Sequence, residues 1–149
     1  NMIKTNAQFD FITSELTEII DQTTAFIIVD DLDHLVKGGR LSNGAAMIGN
    51  LLNIKPILRF DEEGKIVVYE KIRTSKKAFK RLYKILAENT KDRDYKVYVI
   101  HSNIPEKAHE VAEELTSKGF DVSIASFGAV IGTHLGEGAL GFGMSPKLK

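Results

Sequence analysis

Five consecutive apolar residues, Ala25-Phe26-Ile27-Ile28-Val29, constrain what this chain can fold into more than any other feature. The run is short and branched, which predicts a strand buried on both sides or pressed under helices. A helical pattern precedes it: Phe9, Ile12, Leu16, Ile19 and Ile20 recur at helix spacing, with acids and threonines between them. Val97 to Ile100, ending at His101, and Val122 to Ala125 repeat the strand pattern. Helical stripes lie around them. Ala78, Phe79, Leu82, Ile85 and Leu86 follow a capping Ser75, and Ala108, Val111, Ala112 and Leu115 follow Pro105 at a first turn. Gly119 is placed as a C-terminal cap.

Further signals fill the gaps. Asp30 and Asp31 end the first strand and can cap a short helix through Leu35 and Val36. Asn43 can cap another that carries Ala46, Met47, Ile48, Leu51 and Leu52. Ile54 to Phe60 and Lys65 to Glu70 predict a hairpin around Asp61-Glu62-Glu63-Gly64, with Pro56 marking an edge or an irregularity. A hairpin forces antiparallel pairing, whereas strands joined through helices pair in parallel. The expected fold is therefore α/β: a two-layer sandwich, with a mixed sheet of about five to six strands and helices mainly on one face.

At 149 residues, 43% of them hydrophobic and 27% charged, the chain has the size and composition of one globular domain spanning 1–149. Twenty basic residues balance twenty acidic ones, so no global field favours nucleic acid. The absence of cysteine rules out disulfides, thiolate metal sites and cysteine nucleophiles, and is compatible with a cytoplasmic location. No apolar run has the length of a membrane span. Asn1 before Met2 suggests an added residue or a chain whose upstream part is absent.

Two glycine-bearing loops stand out. In Lys37-Gly38-Gly39-Arg40-Leu41-Ser42, the glycines allow a tight turn and close approach, holding Arg40 beside exposed backbone N–H groups. Its guanidinium suits a carboxylate or phosphate. A plain helix-to-helix turn with a surface arginine explains the pattern equally well. In Val130 to Gly141, Gly132, Gly136, Gly138 and Gly141 are interleaved with Val130, Ile131, Leu135 and Leu140, so the segment reads as packed and not as a linker. Thr133 offers a hydroxyl, His134 exchanges a proton near neutral pH, and nearby amides can form an anion-binding nest. A satisfied structural histidine is the alternative for His134.

Together Arg40, Thr133, His134 and backbone amides make a set for holding an anion and a poor set for breaking bonds. No nucleophile elbow, P-loop or metal-ligand pair of histidines is present. The expectation is a binding protein, with no enzyme activity, cofactor or metal. Two alternatives are the substrate-binding domain of a small-molecule kinase-like enzyme and a regulatory interaction domain.

From about residue 25 to the end, the chain resembles the C-terminal half of the DegV family of bacterial fatty-acid-binding proteins. The resemblance rests on Leu35-Val36-Lys37-Gly38-Gly39-Arg40-Leu41-Ser42, Leu51-Leu52-Asn53-Ile54-Lys55-Pro56-Ile57-Leu58, Gly64-Lys65-Ile66, Lys71-Ile72-Arg73-Thr74 and Val130 to Gly141, in that order. Glu137 departs from the proline that such loops often carry. The resemblance implies a carrier for a long-chain fatty acid, held between two domains and handed to a partner fatty acid kinase. It also implies that the N-terminal domain, which supplies hydroxyl ligands, is absent here. Arg40, Thr133 and His134 are then expected at the carboxylate, with Gly38, Gly39, Gly132 and Gly136 shaping the loops. Met47, Ile48, Leu51, Leu52, Ile131 and Leu140 are expected along the acyl chain. Arg73, with the lysines after it, is expected either to dock the kinase or to be a solvated face.

Overall fold

A computed structural model describes residues 8–41, 54–91 and 94–147. Its strands form one six-stranded sheet in the order β3-β2-β1-β6-β4-β5. They are β1 (Thr24–Ile28), β2 (Ile57–Phe60), β3 (Ile66–Glu70), β4 (Tyr95–His101), β5 (Asp121–Ser126) and β6 (Leu140–Pro146). The helices among the described residues are α1 (Phe9–Gln22), α2 (Asp33–Lys37), α3 (Ser75–Asn89), α4 (Pro105–Ser117) and α5 (Ala129–Leu135). The sheet is mixed as expected. β4 and β5, joined through α4, pair in parallel, while the other neighbours pair antiparallel.

The five-residue apolar run behaves as its composition demands. Successive side chains of a strand point to opposite faces, and both faces of β1 are covered. Phe26 and Ile28 join the larger core, with Val97, Val99, Leu140, Phe142 and Met144 from the sheet and Leu82, Ile85, Leu86, Val111 and Leu115 from α3 and α4. Ile27 and Val29 point the other way, into a smaller cluster with Leu35 of α2, Leu41, Leu58, Ile66, Leu135 of α5 and Ala139. The two longest core helices thus share one face, and short α2 and α5 cover part of the other. Tyr83 of α3 donates from its hydroxyl to Glu114 of α4 at 2.8 Å, tying the two long helices together. Burial, then that bond, pushes its ionisation well above the usual tyrosine range.

Local signals shift by a residue or two. The cap of α3 is Thr74, whose hydroxyl accepts from Lys77 N, so Ser75 is the first helical residue and not the cap. Asp31 accepts from Asp33 N at 2.8 Å ahead of α2. Pro56 sits just before β2, an interior strand with a bulge between Ile57 and Leu58, so it costs the ladder no donor. α1 forms where the spacing predicts it, but none of its residues is buried. The segment from residue 129 to 135, expected as loop, is helix α5. The helix expected after Asn43 lies outside the described residues.

At the far edge of the sheet, Asp121 accepts from Lys147 at 2.7 Å and also pairs with Lys96, opposite it on β4. These hydrogen bonds hold its carboxyl below the usual aspartate range. A depressed folded-state value means a stabilising contribution that is complete above the ordinary carboxylate pKa and is lost as pH falls through the depressed one. Asp121→Asn should therefore lower the urea midpoint at pH 7. That deficit should shrink to nothing once acid has protonated Asp121 in the parent. A deficit independent of pH would place the effect elsewhere.

Candidate functional site

The two glycine-bearing loops meet. Gly38 and Gly39 end α2 in a Schellman arrangement: Arg40 N donates to Leu35 O at 3.0 Å, and Gly39 N to Val36 O at 3.1 Å. Gly39 takes the left-handed φ of +65° that this cap requires. Arg40 is thereby turned outward, with Nη1 donating to Gly38 O at 3.1 Å, while the next residue, Leu41, is buried. A methyl group on Gly38 would lie 2.7 Å from Nδ1 of His134, so the imidazole packs directly on the backbone of the first loop. The contact is reciprocal: His34 of α2 lies against Gly136 at the end of α5.

Arg40 and His134 consequently line one pocket of about 430 Å³, with Gly39, Phe60, Gly64, Lys65, Ile66, Val130, Ile131 and Leu135. Phe60, Val130 and Ile131 are 40%, 75% and 42% exposed, so exposed apolar side chains gather here beside Arg40 and His134. This grouping of apolar and nitrogen-bearing side chains makes the pocket the candidate site.

The expected amide nest is not formed. The N–H groups of Gly38, Gly39 and Arg40 are taken by carbonyls of α2, and those of Gly132, Gly136 and Gly138 by Gly128, Gly132 and Ser102. These loop glycine amides are committed to the backbone, so Arg40 and His134 enter the pocket through their side chains. Thr133 is exposed on α5, and its hydroxyl donates to Ala129 O at 2.8 Å as a helical back-bond. It does not line the pocket. Leu140 is buried in the larger core, and the pocket does not reach it. Met47, Ile48, Leu51 and Leu52 lie outside the described residues. Arg73 is exposed just before α3 and does not line this pocket. Gly132 is an interior residue of α5. Glu137, the departure from proline, accepts from Asn103 Nδ2 at 2.9 Å. Among the described residues, no group of three or more His, Asp or Glu side chains is placed to hold a metal ion.

Sequence reasoning missed Phe60, Lys65, Ile66, Val130 and Leu135 as lining residues. The hairpin was legible, but its place beside the Arg40 loop comes from a single parallel bridge, Leu41 to Ile66, which leaves no local signal.

The family model described as "Uncharacterised protein, DegV family" matches residues 1–147. The chain belongs to the DegV family. A DegV domain-containing protein of Streptococcus pyogenes serotype M1 is 61% identical over 142 residues, which are 94% of this chain and 50% of that relative. The crystal structure of a fatty acid binding DegV family protein from Streptococcus agalactiae superposes with a TM-score of 0.90 at 53% identity, covering 99% of this chain and 53% of that one. DegV from Bacillus subtilis, described as a fatty acid binding protein, superposes with a TM-score of 0.84 at 47% identity, covering 98% of this chain and 53% of the other. The chain spans about half the length of the curated relatives it matches. No helix among the described residues is long and apolar enough to cross a membrane.

Proposed function

We propose that this DegV chain is a cytoplasmic binding domain for a long-chain fatty acid and performs no bond-breaking step itself. The observation that carries the reading is the single pocket in which Arg40 and His134 stand beside Phe60, Val130 and Ile131. Its volume falls within the range of ligand sites, roughly 300–1,000 Å³. The Streptococcus agalactiae and Bacillus subtilis proteins, both described as binding fatty acid, support it from outside.

The physical division of labour is simple. An ionised carboxylate needs partners before it leaves water, and Arg40 and His134 supply donors. Thr133 would have to exchange its bond to Ala129 to add a third. Each buried methylene contributes ~0.8 kcal/mol, so a tail of about 14 gives a gross ~11 kcal/mol. The tail therefore dominates affinity and the head group fixes orientation. Ile131 begins the apolar path, and Met47, Ile48, Leu51 and Leu52 are proposed to extend it. The bound acid is then presented to a partner fatty acid kinase, which supplies the nucleotide site and the phosphoryl chemistry, with Arg73 on the docking face.

His134→Ala in the full-length protein tests the site. Fatty-acid affinity should fall by about tenfold, the loss of one charge-assisted contact, and acyl-phosphate formation with the kinase should fall with it. Unchanged values of both would remove His134 from the mechanism. Arg73→Glu, read in the same assay by kinase association, should weaken docking, and an undisturbed association would count against that face.

A further inference from the structure

We propose that Lys65, in the hairpin turn, is a headgroup-specificity residue: with Arg40 and His134 it makes the pocket mouth select an anionic head group over a neutral one. The inference deepens the carrier reading and rests on it.

Three buried apolar residues, Leu41, Ile66 and Leu135, belong to one cluster. Each is immediately preceded in sequence by a nitrogen-bearing side chain: Arg40, Lys65 and His134 respectively. All three of those side chains line the same pocket, and no aspartate or glutamate does. The arrangement has a backbone cause. The parallel bridge between Leu41 and Ile66 sets Arg40 and Lys65 beside each other on neighbouring segments. The packing of His134 on Gly38 brings in the third group.

The lysine is held by a built turn. Asp61 Oδ1 accepts from Lys65 N at 2.8 Å and from Glu63 N at 3.0 Å, and Asp61 N donates to Lys65 O at 3.0 Å. Gly64 supplies the left-handed residue, with φ +76°. Both polar groups of the Lys65 backbone are thus tied to Asp61, and only the side chain is free to choose a partner. Its ammonium pairs with Glu63, and both side chains are more than half exposed, a class of ion pair that contributes little. Arg40 and Lys65 both bring positive charge to the one pocket, which an anionic head group would balance and a neutral one would not.

The test compares hexadecanoic acid with its methyl ester, titrated into the full-length protein at low salt. The parent should prefer the acid. Lys65→Met should lower the acid-over-ester preference by about tenfold, with ester affinity unchanged. Lys65→Arg should keep the preference, and so should Lys84→Met, which removes a distant exposed lysine of α3. An unchanged preference in Lys65→Met overturns the proposal. So does an equal loss of acid and ester, which would mark a structural role. A parent that binds both compounds equally overturns headgroup selection but leaves the carrier reading intact. A parent that binds neither removes the carrier reading and this inference together.

Discussion

Replacing Phe142 by alanine is expected to destabilise the domain by about 3–5 kcal/mol, the range for removing a buried aromatic ring. Phe142 is fully buried in β6, flanked by Phe26 of β1 and Val99 of β4 in the two registers. Its ring meets Phe79 of α3 edge to face, with centroids 6.1 Å apart. One truncation therefore opens a cavity where sheet and helix layer join. Typical domain stability is about 5–15 kcal/mol, so the loss is a large share of the total. Urea unfolding followed by circular dichroism measures it. A midpoint shift worth less than about 1 kcal/mol would mean that the neighbours close the gap.

The second large effect is expected at Gly136. Its backbone lies at φ +77° and ψ 173°, a conformation essentially reserved for glycine. A methyl group there would also sit 2.6 Å from Cδ2 of His34. Strain and overlap together predict a cost of about 2–4 kcal/mol for Gly136→Ala. The two causes separate in a double-mutant cycle. In a His34→Ala background the overlap is gone and the strain stays, so Gly136→Ala should cost less there, with a coupling above about 0.5 kcal/mol. Equal costs in both backgrounds would leave backbone strain as the whole effect. Because Gly136 terminates the helix that carries His134, the proposed carrier role adds that fatty-acid affinity of the full-length protein should fall in parallel with stability.

Much of this fold is legible from residue order, and the reasons are specific. The run from Ala25 to Val29 has no polar position to turn outward, so only an interior strand accommodates it. Pro105 and Gly119 bracket α4 because one lacks an N–H and the other tolerates positive φ, +93° here. The hairpin is announced by Asp61 and Gly64. Helix α5 was not legible. Gly132 in its middle costs about 1 kcal/mol relative to alanine, and glycine-rich sequence reads as turn. The helix forms because Leu135 docks into the smaller cluster beside Leu35 and Leu41, a tertiary gain that overrides propensity.

The site divides in the same way. That Arg40 and His134 belong together was legible from chemistry, as two candidate anion-binding groups on unusual glycine-bearing segments, and they do line one pocket. The fate of the amides was not, because a Gly-Gly pair looks the same whether its N–H groups face a ligand or cap a helix. Nor was the part of the hairpin, whose lysine resembles any surface charge until the bridge to Leu41 is seen.

The placement of β6 carries a consequence for how the chain is made. β1, β2 and β3 form one ribbon and β4 with β5 forms another, yet among the described residues the two share no direct ladder. Residues 140–146 pair with both and so stitch them. On the ribosome, both ribbons emerge with an open hydrogen-bonding edge and wait for β6, the kind of exposed template on which nascent chains aggregate. Closure is then a late, long-range step, and translation pauses or chaperone contact just before residue 140 would bear most heavily on yield.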